Sequence, residues 1–446
     1  MGKIKEVVKR NGAVVPFNPL RISNAIYRAA VAVGGRDKKT AEKLADKVVE
    51  ALEQMEFENG KPHIEEIQDV VEKVLIENGH ATVAKEYILY REEANRRRAT
   101  DQKYSTKEDN NIPWAKLWHV LNWAVKNDLH TIESLNKKIK NGEFAEVVHI
   151  SEKAYEHNID TAAKLISERH DSLKMVMVSG PSSSGKTTTT IRLEEKLKSE
   201  GFKFVPLVVD NYYFDLELHP KDEFGDYDFE TPQALDLELI NEHLLALSEG
   251  KEVKIPYYDF KEGKRTLDAT PMQLKDGEIL LIDSLFGLYP KFSEAIADEI
   301  KFKLYLEPLL QMKTSEGRYI RWTDIRLIRR MLRDSVQRAY NPRQTLEHWH
   351  YVRSSELRNL IPYNSTADYI INTSMPYEIA LYKPLLLNNF LEWREEFKDN
   401  PLKEDAYERA ERCVKFLSEV EGVEDDSPVP KNSVLREFIG GSVYEY

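Results

Sequence analysis

An α/β fold, with a parallel sheet covered by helices on both faces, is what this sequence predicts for its central part. Three observations point to it. The apolar run Met175–Val178 stops at Gly180, and a helical pattern follows from Thr188 to about Ser199. Further apolar runs, Lys203–Val209, Glu278–Ile282, Lys301–Leu306 and Asp368–Asn372, recur between helical patterns. Near-continuous apolar strands of this kind are buried on both sides, unlike the alternating strands of a half-wet antiparallel sheet. Finally, the runs that end at Asp210 and Asp283 put two carboxylates at strand carboxyl ends, the edge where α/β sheets bind ligands.

The composition fits such a core. The chain has 446 residues, 41% hydrophobic and 31% charged, enough for two or three folded domains. Its net charge of −12 argues against a nucleic-acid partner. The single cysteine, Cys413, excludes an internal disulfide and a zinc ribbon and suits a reducing cytosol. No apolar run reaches membrane-spanning length, and the N-terminus lacks a signal-peptide core. A cytoplasmic protein that assembles as a homo-oligomer is the expectation.

Taken in order, residues 1–98 form a first unit. Lys5–Arg10 alternates like a strand, Asn11-Gly12 is a two-residue hairpin turn, and Ala13–Phe17 is the return strand. Helical patterns follow over Arg21–Val33, Lys39–Gln54, Ile64 to about Asn78, and Ala81–Arg98. Residues 99–113 are polar, carry no period and end at Pro113, which marks a linker. From Trp114 to His170 the patterns are helical again, with a stripe of Trp114, Leu117, Trp118, Leu121 and Trp123 that is expected to pack against another part of the chain. Residues 99–171 thus read as linker and helical connector.

The central unit, residues 172–375, opens with Gly180-Pro181-Ser182-Ser183-Ser184-Gly185-Lys186-Thr187, the pattern G-x-x-x-x-G-K-[ST] between a strand and a helix. The glycines let the backbone wrap an anion, so that its N–H groups and the helix N-terminus, Thr188 included, face phosphate oxygens. In this pattern Lys186 reaches the β- and γ-phosphates and the Thr187 hydroxyl ligates Mg²⁺. ATP and Mg²⁺ are therefore the expected cofactors. Asp210 and Asp283 at the strand ends are candidates for catalytic base and Mg²⁺ ligands. Arg326, Arg329, Arg330 and Arg333 fall at spacings of three and four on a predicted helix, Asp324–Gln337. Arginine in place of lysine suits bidentate phosphate contact, and the helix reads as a lid over ATP. His348-Trp-His350 has metal-like spacing but no third ligand cluster. Residues 376–446 read as a helical extension, with Glu421–Asp426 a solvated loop.

Two resemblances sharpen this. Val8-Lys-Arg-Asn-Gly12, Val15-Pro-Phe17, Arg21-Ile22 and Ala25-Ile26, with His63–Ile67, Ala84–Tyr87 and Tyr90-Arg91 further on, resemble the ATP-cone, a nucleotide-sensing module. The likeness implies that Lys9, Arg10, Asn11, Gly12 and Arg21 hold an allosteric nucleotide of the ATP or dATP type. The second likeness spans roughly residues 145–446. The phosphate loop, Asp210-Asn-Tyr-Tyr213, Asp228–Asp236, Pro256–Phe260 and Arg329–Asp334 are similar to the uridine kinase/phosphoribulokinase group of P-loop kinases. The tail Leu435–Ser442 resembles that of long bacterial members, which usually carry a different N-terminal domain.

That second resemblance implies a pyrimidine nucleoside as phosphoryl acceptor. Asp210 becomes the base for its 5′-hydroxyl, and Thr187, Asp210 and Asp283 the Mg²⁺ site. Glu230 holds ribose hydroxyls, while Tyr212, Tyr213, Tyr258, Phe260 and Arg265 line the acceptor pocket. Lys186, Arg329 and Arg333 act on the transferring phosphate, with Arg330 on ATP. Two departures bear on the acceptor. The group's histidine after its Tyr-Asp-Phe is replaced by Lys261–Arg265, and its Asp-His-Pro-Asp run is Glu230-Thr-Pro-Gln233. Uridine, cytidine, thymidine and deoxyuridine all remain open. A sugar-phosphate kinase and a nucleotide-sensing protein with a non-catalytic kinase fold are the alternatives.

Overall fold

The computed structural model describes residues 4–8, 14–33, 35, 37–55, 57, 60–89, 91, 111–219, 229–337 and 341–445. The chain divides into two compact units, residues 1–109 with 399–404, and residues 110–398 with 405–446. Residues 110–171 and the C-terminal helices, which the sequence sets apart as connector and extension, thus belong to the same unit as the central strands.

The smaller unit pairs β1 (Glu6–Val8) with β2 (Val14–Pro16) in an antiparallel hairpin. Helices α1 (Leu20–Ala32), α2 (Lys38–Glu53), α3 (Ile64–Glu77) and α4 (residues 81–89) follow. Asp37 caps α2, and His63 with Glu66 forms a capping box on α3. The apolar faces of these helices meet in a core of Ile26, Val48, Leu52, Val71 and Leu75. The hairpin turn, with Lys9, Arg10, Asn11 and Gly12, lies outside the described residues. Arg21 is exposed on the first turn of α1.

The larger unit is built on five strands, β3 (Met175–Ser179), β4 (Lys203–Val208), β7 (Glu278–Ser284), β8 (Lys301–Glu307) and β9 (Tyr369–Asn372). They form a parallel sheet of order β4-β7-β3-β8-β9. Every residue of β3 is buried. Because side chains alternate along a strand, Val176 and Val178 enter one apolar core while Met175 and Met177 enter another. Likewise Ile279 and Leu281 of β7 face the first core, and Leu280 and Ile282 the second. Both faces are covered, as the apolar runs predict.

Helices α5 (Trp114–Lys126), α6 (Ile132–Lys140), α7 (Phe144–Ser167), α8 (Lys186–Ser199), α10 (Trp322–Gln337), α11 (Pro342–Asn359), α12 (Glu378–Phe397), α13 (Glu404–Glu419) and α14 (Arg436–Ile439) lie on the first side, and α9 (Leu237–Ser248) on the second. An antiparallel hairpin of β5 (Val253–Asp259) and β6 (Lys264–Met272) stands apart from the sheet. The tryptophan stripe of α5 differs from expectation: Trp114 and Trp118 are each 65% exposed, and Trp123 packs on the core. Among the described residues no helix is long and apolar enough to cross a membrane.

Candidate active site

The phosphate loop connects β3 to α8, and its two glycines are sterically required. A Cβ on Gly180 would lie 2.5 Å from the Leu306 carbonyl oxygen. Gly185 has φ +87°, and a Cβ there would collide with Val434. Ser183 also holds a positive φ of 59°. Such a backbone turns successive N–H groups inward to make an anion nest. The Ser183 and Ser184 hydroxyls are buried with no hydrogen-bond partner among the described residues. Thr187 is exposed at the start of α8, and the Lys186 ammonium makes one long contact, 3.4 Å to the Pro181 carbonyl.

The carboxylates come to this loop through strand register. Val178 of β3 and Val208 of β4 both pair with Asp283 of β7, so Asp283 lies beside the start of the loop. Asp210, two residues beyond β4, is exposed at the same edge. Removal from water pushes the Asp283 carboxyl up to about 6; Lys186 opposes the rise, and the charges of Glu437 and Asp210 add to it. Lys186, Asp283 and Asp210 therefore share one electrostatic neighbourhood. The hard oxygens of Thr187, Asp210 and Asp283 suit Mg²⁺, which takes one or two carboxylates and fills its remaining positions with water and phosphate. Among the described residues there is no group of three or more acidic, His or Cys side chains able to hold a metal.

The arginines of α10 divide into two pairs, which corrects the lid reading. Arg326 and Arg329 are fully buried. Arg326 bonds Glu307 (2.9 Å), both oxygens of Glu356, and the Ser182 carbonyl of the loop (3.1 Å). Arg329 forms a two-pronged pair with Glu378 (2.7 and 3.1 Å) and donates to the Thr373 carbonyl and hydroxyl. The Thr373 hydroxyl in turn donates to the Ser184 carbonyl at 2.6 Å. Arg329 is therefore a brace behind the loop, with every guanidinium nitrogen engaged, and not a group that reaches phosphate. Arg330, by contrast, bonds the Ser182 hydroxyl (3.2 Å) and Glu230 (2.8 Å), and so bridges the loop to the opposite wall. Arg333, next along, leans on Asp334 at 3.1 Å.

That opposite wall is aromatic. Tyr213, His219, Phe229, Tyr258 and Phe260 form one cluster, with ring centroids 4.7–6.3 Å apart. Tyr258 is buried, and its hydroxyl has no partner among the described residues. Burial, and after it the Asp215 charge, holds that hydroxyl above the usual tyrosine range. Phe260 is 61% exposed at the rim.

Two sequence-derived pocket residues are placed elsewhere. Tyr212 is fully buried in the second core and bonds His243 at 2.9 Å. Arg265 is taken up by Asp236 (2.8 Å) and stacks on Phe214, which ties the β5–β6 hairpin to the wall. Sequence reasoning missed His219, which no local pattern marks, and Phe229, although it stands within the Asp228–Asp236 segment. It also missed Glu437, which accepts from the Thr188 hydroxyl (2.8 Å) and N–H (3.3 Å).

Comparison with known proteins agrees with this layout. Residues 5–96 match the ATP cone domain, and residues 175–380 match the phosphoribulokinase/uridine kinase family. A uridine kinase of Deinococcus deserti is 30% identical over 198 residues, which are 44% of this chain and 86% of that protein. One from Borrelia turicatae is 28% identical over 225 residues, covering 49% and 94%. The N-terminal part is 47% identical over 111 residues to a vitamin B12-dependent ribonucleoside-diphosphate reductase of Thermoplasma acidophilum, of which this chain spans 14%. Among solved structures, a D-glycerate 3-kinase from Cryptococcus neoformans covers 58% of this chain and 87% of its own at 14% identity; its TM-score of 0.26 is too low to bear on substrate. The phosphate loop and its flanking strands fall inside the family match, and the chain belongs to the phosphoribulokinase/uridine kinase family of kinases, with an ATP cone domain ahead of its phosphotransferase unit.

Proposed function

We propose that this protein is an ATP-dependent nucleoside kinase, transferring the γ-phosphate to the 5′-hydroxyl of a pyrimidine nucleoside, and that a nucleotide on its ATP cone regulates it. The observation that carries the reading is the pairing of a phosphate loop with Asp210 on one sheet edge, opposite the aromatic cluster around Tyr258.

In this reading the loop N–H groups and Lys186 hold the β- and γ-phosphates, which pre-organises charge for the transfer. Thr187 and Asp283, with Asp210 beside them, hold Mg²⁺, which supplies charge neutralisation on the phosphates when bound. Asp210 takes the proton from the acceptor hydroxyl, a role worth roughly 10²–10⁴-fold. Arg330, between Ser182 and Glu230, lies where donor and acceptor meet, and Arg333 adds positive charge beside it. Tyr213, Tyr258 and Phe260 stack on the base, and Glu230 faces the ribose.

A nucleoside is favoured over a sugar phosphate for two reasons. Planar rings suit a base. The arginine on the acceptor side, Arg265, is already neutralised by Asp236, which leaves it no charge for a second phosphate. Regulation requires a second nucleotide site whose affinity differs between two states; Lys9, Arg10, Asn11, Gly12 and Arg21 are the residues proposed for it.

The test is phosphorylation of uridine, cytidine, thymidine and deoxyuridine with Mg-ATP, beside ribulose 5-phosphate. Turnover of a nucleoside supports the proposal, and the preferred sugar reports on Glu230. Turnover of the sugar phosphate alone refutes it. Equilibrium binding of ATP or dATP at two sites per chain, reduced to one by Lys9→Ala with Arg10→Ala, supports the regulatory site.

A further inference from the structure

The N–H groups of a helix's first three residues are among the four at its start that have no partner inside it. In α8 these belong to Lys186, Thr187 and Thr188, since Thr189 is the first to bond back, to the Gly185 carbonyl at 3.1 Å. They are the groups a phosphate loop turns on its ligand. The third already carries an anion of the protein's own, the Glu437 carboxylate, at 3.3 Å from the Thr188 nitrogen and 2.8 Å from its hydroxyl.

That carboxylate is firmly held. Its neighbours Val434, Leu435 and Phe438 are fully buried. Arg436 is tied to Asp426 and to the Val429 carbonyl, and the Phe438 ring lies 5.0 Å from the Arg329 guanidinium. Val434 fills the space beside Gly185. The segment lies beyond residue 380, where the family match ends.

We propose that Glu437 is a positioning residue that sets the affinity of the phosphate cradle. Acting through Thr188, it places a fixed negative charge on the third open N–H of the loop helix, so a nucleoside triphosphate binds there more weakly than the loop alone would allow. The sign follows from charge: a carboxylate occupies a donor that faces phosphate, and it repels the polyanion that shares the helix end. Weaker binding lets the nucleotide leave after transfer. This inference rests on the reading of the loop as the ATP site.

The test is calorimetric titration of Mg-ATP into the full-length protein, its E437Q variant and its E437D variant, each checked for an unchanged unfolding transition. The amide of E437Q keeps the shape and an accepting oxygen while losing the charge, so this variant is expected to bind Mg-ATP roughly tenfold more tightly and to show a lower KM for Mg-ATP. E437D keeps the charge but withdraws it by one methylene, and a smaller tightening is expected. A brace without an electrostatic role could only weaken binding when altered. Equal or weaker binding by folded E437Q overturns the proposal; if E437Q does not fold, equal or weaker binding by E437D overturns it. If neither the natural protein nor the variants bind Mg-ATP, the ATP reading itself falls, and this inference with it.

Discussion

The two walls of the cleft are built by opposite rules. On the donor side, the loop is backed by buried charges that are all satisfied: Arg326 holds the Ser182 carbonyl while paired with Glu307 and Glu356, and Arg329 reaches the Ser184 carbonyl through Thr373 while paired with Glu378. On the acceptor side, the wall is a cluster of rings with a buried hydroxyl left open, Tyr258, and a partly exposed ion pair, Arg330 with Glu230. A phosphate is the same in every turnover, so its cradle can be rigid. In the proposed reaction the acceptor must be selected, and an unpaired buried group gives selection its leverage, since a ligand that satisfies it gains and one that does not loses.

The largest effect should appear where the donor wall is broken. Arg329→Met leaves Glu378 buried without its partner, and such a loss costs about 3–5 kcal/mol. Arg333→Met, whose partner Asp334 keeps its contact with Arg330, should cost less than that while reducing turnover. Urea unfolding of the two variants decides it; equal stability would erase the distinction between brace and cleft arginines.

The acceptor wall makes the reverse prediction. Tyr258→Phe removes a buried hydroxyl whose burial costs about 1–3 kcal/mol, so the variant should be as stable as the natural protein or more so. If that hydroxyl serves the acceptor, its KM should rise roughly 3–10-fold while the KM for ATP stays put. A destabilised Tyr258→Phe would mean that the group has a partner in the folded protein.

A smaller effect sharpens the electrostatics between the walls. The Asp283 carboxyl is raised to about 6, so between the ordinary aspartate range and pH 6 the folded protein holds a proton that the unfolded chain has lost. In the ligand-free protein this contribution to stability is present at low pH and is lost as pH rises through 6. With Asp283 holding Mg²⁺ as proposed, Mg-ATP binds the ionised form, so its affinity should fall below about pH 6, by at most about tenfold per pH unit for one linked proton. Asp283→Asn should flatten that slope. An unchanged slope would remove Asp283 from the phosphate site.

The same contrast explains what the sequence made legible. The donor loop is contiguous, and its glycines, lysine and threonine stand at fixed offsets between a strand and a helix, so it could be read directly. The parallel sheet followed from its apolar runs, and the placement of Asp210 and Asp283 from their positions at strand ends. What eluded reading depends on partners distant in the chain. Helical spacing put Arg326, Arg329, Arg330 and Arg333 near one another but not on a side; only Glu307, Glu356 and Glu378 reveal that two of them face inward. Glu437 is 249 residues from Thr188. His219 enters the aromatic cluster from a segment with no pattern of its own, and Tyr212, adjacent to a true cluster member, turns into the core because the chain there forms a tight 3-10 turn.

The central claim, phosphoryl transfer to a nucleoside by Asp210 from ATP on the loop, is tested most directly by Asp210→Asn. Mg-ATP should still bind, through the loop, Thr187 and Asp283, while transfer of the γ-phosphate to the preferred nucleoside should fall by roughly 10²–10⁴-fold, measured by single-turnover chemistry with labelled ATP. A variant that transfers phosphate at the natural rate would contradict the account.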